Sequence, residues 1–278
     1  MQRKDVFMDE MMDEVLCSRL PLSKEGCFLG LVTINRPEEM NPLSWSVIKK
    51  MRAVMNDLAK DEVIRVIAIT GTGKAFSAGG DLKDYMKLQK EELGFLAFLE
   101  DFHRLCNYIQ FEVPKPVIAL VNGVSAAGGT EIILACDFAY AAQSARIGDA
   151  HLNFGQMGGG GILTRLPRAI LPNHAREFLF TAKFFSAEEC LKWGLVNRVV
   201  PDCELQNAGL EFADIVATKS PLAIKNMKQV TNRGLTMRFE DSIAMESRVT
   251  HHYCRTSFDA NEGLKAFSEK RKPKFIGQ

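Results

Sequence analysis

Neither sign of charge dominates this 278-residue chain: 35 Lys and Arg face 34 Asp and Glu, for a formal net charge of +1. Such a balance offers no basic footprint for nucleic acid. With 46% hydrophobic and 25% charged residues, the composition is that of a folded globular protein and does not fit disorder. Long apolar runs are missing as well: no stretch of about 18 apolar residues is present to span a bilayer. The seven cysteines (Cys17, Cys27, Cys106, Cys136, Cys190, Cys203 and Cys254) are odd in number, scattered and without a CxxC pair. That spacing argues against a disulfide framework and against cysteine-ligated zinc, so no metal site is expected. The opening segment MQRKDVFMDEMMDEVL carries acids throughout and lacks the apolar core of a secretory signal, which points to a cytoplasmic protein.

The segments that are present begin as a β-α-β unit. CFLGLVTIN (27–35) and VIRVIAIT (63–70) are apolar, β-branched runs of strand length. Between them SWSVIKKMRAVMNDLAKD places Val47, Met51, Val54, Met55 and Leu58 on one side of a helix. A helical stretch around FLAFLEDFHRLCNYIQ precedes a third strand, PVIALVNG (116–123), and DFAYAA (137–142) and LVNRVV (195–200) add two more. Nearly continuous apolar strands separated by helices predict an α/β fold with covered sheets. After Pro201 only helical spacing remains. No fixed-period repeat and no Gly/Ser linker divides the chain.

Two glycine-containing turns follow strands. In GTGKAFSAGGDL (71–82), Ala68 and Ala75 occupy the first-glycine and Ser/Thr positions of a phosphate loop, so nucleotide binding is not supported. The segment reads as a strand-to-helix turn in which Gly79 and Gly80 supply unusual backbone angles and Asp81 caps the next helix. In NGVSAAGGTEIILACD (122–137), a strand again turns through glycines into a helix, leaving N–H donors at the positive end of the helix dipole. Glu131 lies in its first turn. It is either an exposed acid complementing that dipole or, given its small and apolar flanks, a buried carboxyl with a raised pKa suited to proton transfer. Two donor-rich turns and one acid suggest chemistry at a carbonyl, where preorganised N–H groups meet developing negative charge.

These residues resemble the crotonase, or enoyl-CoA hydratase/isomerase, superfamily. The likeness runs from about Val32 to Phe275 through five ordered segments: TINRPEEMNPLS, KAFSAGGDL, PVIALVNGVSAAGGTEIILACDFAYAAQSARIGDA, FTAKFFSAEECLKWGLVNRVVP and DANEGLKAFSEKRKPKF. It implies a spiral of β-β-α units forming two nearly perpendicular sheets over residues 1–205. A helical C-terminal oligomerisation region over 206–278 would form a homotrimer or a dimer of trimers. It implies an acyl-CoA thioester as substrate and no cofactor. Carried over by position, the backbone N–H groups of Ala78 and Gly128 form the oxyanion hole. Lys74, Ala75, Ser77, Gly79, Gly80 and Asp81 lie in the loop that meets coenzyme A. Tyr85, Met86 and Phe154 are placed to line the acyl pocket, and the basic Lys270–Lys274 tail to supplement phosphate binding, from a neighbouring subunit or as a mere charged terminus. The GGGG run (158–161) reads as the turn entering the helix ILTRLPRAI, either admitting the acyl group closely or serving packing alone.

Hydratases of the family flank the double bond with two glutamates. Glu131 falls on the first position, but in GDAH (148–151) the second is His151. Histidine, with an ordinary pKa near about 6.5, also moves protons near neutrality, so it can orient water or act as a second acid-base group. Asp149, two residues away, is expected to point to the opposite side. Hydration or dehydration of an enoyl-CoA is the leading expectation. Isomerisation, carbon–carbon bond hydrolysis and a non-catalytic acyl-CoA-binding scaffold remain open. His103, His174, His251 and His252 fall in no motif.

Overall fold

The computed structural model describes residues 13–278; the acid-rich segment 1–12 lies outside the described residues. Its first hairpin pairs β1 (Val15–Pro21) antiparallel with β2 (Phe28–Ile34). A helix α1 (Trp45–Lys60) then starts at Ser44, whose hydroxyl accepts the Val47 N–H at 3.2 Å. It buries Val47, Ile48, Met51, Met55, Leu58 and Ala59, close to the stripe expected from spacing, and each large side chain so removed from water is worth about 1.5–3 kcal/mol. The helix returns the chain to β3 (Ile64–Gly71), a central strand in which only Thr70 is not buried.

From β3 onward each turn of the chain lays one strand in each of two sheets. A six-stranded sheet has the order β1-β2-β3-β5-β7-β10, completed by β5 (Val117–Val121), β7 (Phe138–Ala142) and β10 (Arg198–Val200). A four-stranded sheet contains β4 (Ala75–Ser77), β6 (Val124–Ala126), β8 (Arg146–Gly148) and β9 (Phe184–Ser186) in order β4-β6-β8-β9. Pairing is parallel except for β1 with β2 and β8 with β9. This is the spiral that the resemblance implies.

Two asparagines tie the corners where the chain steps between sheets. Asn41, fully buried and at φ 58°, donates to the carbonyls of Thr72 (2.9 Å) and Ala75 (2.7 Å) and accepts the Arg36 N–H at 2.8 Å. Asn122 accepts the Gly71 N–H at 3.0 Å and donates to the Gly73 carbonyl at 3.0 Å. Each closes backbone groups that no strand satisfies. Asn41→Ala strands the Arg36 N–H and the Thr72 carbonyl, while Ala75 keeps its bond from Asn122 at 3.2 Å, and we expect a loss of about 2–3 kcal/mol in urea unfolding with the spectroscopic fold retained.

Helices fill the remaining layers: α2 (Leu82–Leu88), α3 (Gly94–Asn107), whose end widens into a π-helical turn at Tyr108–Glu112, and α4 (Gly128–Ala135). α5 (Ile162–Ala169), α6 (Pro172–Thr181) and α7 (Ala187–Trp193) follow. The C-terminal helices are α8 (Leu205–Ala217), α9 (Pro221–Gly234), α10 (Phe239–Thr256) and α11 (Phe258–Ser268). α8 packs on β3, β5 and β7, with Gly209 against Leu120, so the sheet is covered by residues beyond 205. α10 differs: it has no buried residue and exposes Phe239 and Ile243. No helix among the described residues is long and apolar enough to cross a membrane.

Candidate active site

A cleft of about 330 Å³ opens where the first two glycine turns meet the segment after β8. Ala78, Gly80, Asp81 and Tyr85 form one side, and Ala127, Ala150, His151, Phe154 and Met157 the other. Such a volume suits a small ligand group. A larger recess of about 410 Å³, between the start of β3, the Pro114–Pro116 turn and α9, contains none of the candidate residues.

The first turn is built from its own side chains. Ser77 accepts the Gly79 N–H at 3.2 Å, and Gly79 sits at φ 96°, a left-handed conformation natural to glycine. A Cβ at Gly79 would stand 2.7 Å from that of Ala127, so the two turns touch. Asp81 caps α2 as expected, accepting the Lys83 N–H at 3.0 Å, while its second oxygen pairs with Arg36 at 2.9 Å. Its carboxylate is therefore occupied by structure and is not a free ligand for coenzyme A.

One assignment carried over by position is corrected here. The Ala78 N–H already donates to the Met40 carbonyl at 2.8 Å, so it is not available as an oxyanion donor. Gly80, two residues on, bridges Leu43 through the Gly79 carbonyl and the Asp81 N–H, and its own N–H takes no part in either bond. Gly128, the first residue of α4, has the unpaired N–H that every helix start presents. Before it, Ala127 holds φ 47° and ψ −118°, a costly conformation for a residue with a Cβ, of the kind found at functional sites.

Glu131 is buried at 2% exposure, which overturns the surface-acid alternative. Its Oε1 accepts the N–H groups of Gly160 (2.7 Å) and Ile162 (3.1 Å), fixing the carboxyl and leaving Oε2 without a backbone partner among the described residues. Burial raises its pKa; the charge of His151 and the two N–H bonds oppose this without cancelling it. The glycine run explains the approach: a Cβ on Gly160 would collide with Oε2 and with the Phe102 ring. As read from the sequence, the run enters α5, with Gly161 at φ 117° as its cap. The group it admits closely is the Glu131 carboxyl, which the loop covers.

His151 lies on the open cleft in a 3-10 turn, His151–Phe154. Contrary to the expected orientation, Asp149 points to it: Nδ1 donates to the Asp149 carboxylate at 2.7 Å. The reason is Ala150, whose φ of 57° folds the backbone so that the two side chains converge. Burial disfavours the imidazolium, but the Asp149 bond and the charges of Asp149 and Glu131 outweigh it, so the His151 pKa lies above its ordinary value. With Nδ1 engaged, Nε2 is the nitrogen left for chemistry.

The remaining candidates divide plainly. Tyr85 lines the cleft and packs edge-on against Phe95 and Phe98, and Phe154 is an exposed rim residue. Lys74, Ala75 and Ser77 are not part of the cleft wall: the Lys74 side chain is exposed, whereas Ala75 and Ser77 are buried in β4. Met86 is exposed outside it. In the basic tail, Arg271 is held by Glu262 at 2.6 Å and by Glu269 at 2.6 Å.

The comparisons bear on the family and the fold. The enoyl-CoA hydratase/isomerase family profile matches residues 26–278. A short-chain-enoyl-CoA hydratase of Clostridium acetobutylicum is 34% identical over 255 residues, covering 90% of this chain and 95% of the relative. A crotonyl-CoA hydratase of Syntrophomonas wolfei is 33% identical over 254 residues, with the same coverage. Among solved structures, an enoyl-CoA hydratase from Bacillus anthracis superposes with a TM-score of 0.88 at 30% identity, covering 96% of this chain and all of that one. A spiral of paired sheets around an acid and backbone donors thus defines an acyl-CoA enzyme fold. The chain belongs to the enoyl-CoA hydratase/isomerase family.

Proposed function

We propose that the protein adds water across the double bond of a short enoyl-CoA. The observation that carries this reading is the pairing of two proton-handling groups beside two adjoining backbone donors: buried Glu131 and the Asp149-held His151. The thioester oxygen is placed between the N–H groups of Gly80 and Gly128. Each such donor is typically worth about 2.7–4 kcal/mol against enolate charge. Glu131 Oε2 takes a proton from water as the water oxygen bonds to Cβ, and the imidazolium Nε2 gives a proton to Cα. Proton return from Glu131 to His151 then resets the pair. Reaching Oε2 requires the acyl group to pass beneath the glycine loop, and residues 158–161 give that backbone the freedom to yield.

The raised pKa values set the pH profile. Turnover falls on the acid side as Glu131 protonates, at a pH above the ordinary carboxylate value. It falls on the alkaline side as His151 deprotonates, above the ordinary imidazole value. Asp149→Asn removes the partner that raises His151, so the alkaline limb is expected to move to lower pH; an unmoved limb would disprove the imidazolium role.

Exposed Met227, Phe239 and Ile243 on the C-terminal helices, with Leu235 and Met237 in the turn between α9 and α10, are assigned to contacts in a homotrimer or dimer of trimers, and the protein to the cytoplasm. Mixing the protein with crotonyl-CoA tests the central reading: the conjugated thioester absorbance should decay catalytically. No decay over buffer would favour the non-catalytic scaffold.

A further inference from the structure

His103 lies on the exposed face of α3 and belongs to no motif, yet its Nε2 meets the Gly159 carbonyl at 2.6 Å. A carbonyl only accepts, so Nε2 carries the hydrogen. The carbonyl of Gly159 and the N–H of Gly160 are the two ends of one planar peptide group. The Gly160 end donates to Glu131 Oε1 at 2.7 Å. One peptide plane therefore links an exposed imidazole to a buried carboxyl. We propose that His103 is a positioning residue for Glu131: it pins the Gly159 carbonyl and so aims the Gly160 N–H at the carboxylate.

The sequence around this peptide makes an anchor necessary. With glycine at 158 through 161, the backbone has no side chain to restrict its rotation, and the plane is free to turn unless something holds it. The next plane is held similarly, since Arg165 donates to the Gly160 carbonyl at 3.3 Å and is itself fixed by Gln110 (3.0 Å) and Asn107 (2.7 Å). Hydrogen bonds in series also polarise one another, so the imidazole strengthens the donor that Glu131 receives. The other groups facing Glu131 are His151 and Asp149 after β8, Tyr85 from α2 and Cys106 from α3, with Arg165 beside Cys106. None of these touches the Gly159 carbonyl among the described residues.

The proposal rests on Glu131 being the proton acceptor, and the test separates the two. With crotonyl-CoA as substrate, His103→Ala is expected to lower kcat about fivefold to tenfold with KM little changed, the size of effect one lost hydrogen bond gives. The acid limb of its pH profile should move to higher pH, because a weakened donor stabilises the carboxylate less. His103→Gln, which retains an N–H donor, should recover most of both. If His103→Ala matches the parent in kcat and acid limb while Glu131→Gln is inactive, the positioning role is wrong and the function stands. If Glu131→Gln keeps full turnover, the assignment of Glu131 fails and this proposal falls with it.

Discussion

Glu131→Gln is expected to lower turnover of crotonyl-CoA by about 10³-fold, within the range that one positioned acid-base group contributes. The fold should survive, because the Gln carbonyl oxygen can still accept the N–H groups of Gly160 and Ile162 that Oε1 accepts now. Removal of a buried carboxyl whose pKa burial has raised also removes a desolvation cost, so thermal stability should hold or rise. The pairing of the two outcomes is informative. A damaged site loses both activity and stability, whereas a site relieved of a buried proton acceptor loses activity alone. Steady-state kinetics and a thermal melt on one preparation give both numbers. Turnover within tenfold of the parent would remove Glu131 from the chemistry.

The second large effect is expected at His151. His151→Asn keeps an N–H donor near the Nδ1 position for Asp149 and deletes Nε2, so it separates support of Asp149 from proton delivery. Turnover should fall about 10²-fold to 10³-fold, and the alkaline limb of the pH profile should disappear rather than shift. Unchanged kinetics, with or without lost stability, would make His151 a packing residue hydrogen-bonded to its neighbour. The parent's alkaline limb should lie above the ordinary imidazole range, since Asp149 and Glu131 both favour the charged ring.

Legibility in the sequence followed apolar continuity more than length: the seven-residue β1, with polar Ser18 and Arg19 inside it, was not read, whereas the three-residue β10 was found within LVNRVV. The long apolar strands β2, β3 and β5 and the helix α1 announced themselves through continuous or periodic burial. The second sheet did not, because β4, β6, β8 and β9 are three residues each, too short to carry a period of two. For Glu131 the small and apolar flanks offered the buried reading beside the exposed one, and the structure selects burial. The Asp149–His151 bond was not, since it depends on Ala150 at φ 57°, a conformation alanine seldom takes and its identity does not signal. The engagement of the Ala78 N–H was hidden for a similar reason: it depends on Met40, 38 positions earlier in the chain, and it is why the donor we propose is Gly80. His103 had no local signal at all, its partner Gly159 lying 56 residues away.

The mass of the product formed from crotonyl-CoA in ¹⁸O-labelled water tests the account most directly. Addition of water to Cβ predicts one 3-hydroxyacyl-CoA product, heavier than the substrate by one labelled water, with coenzyme A still attached. A product of unchanged mass, or release of free coenzyme A, would contradict it.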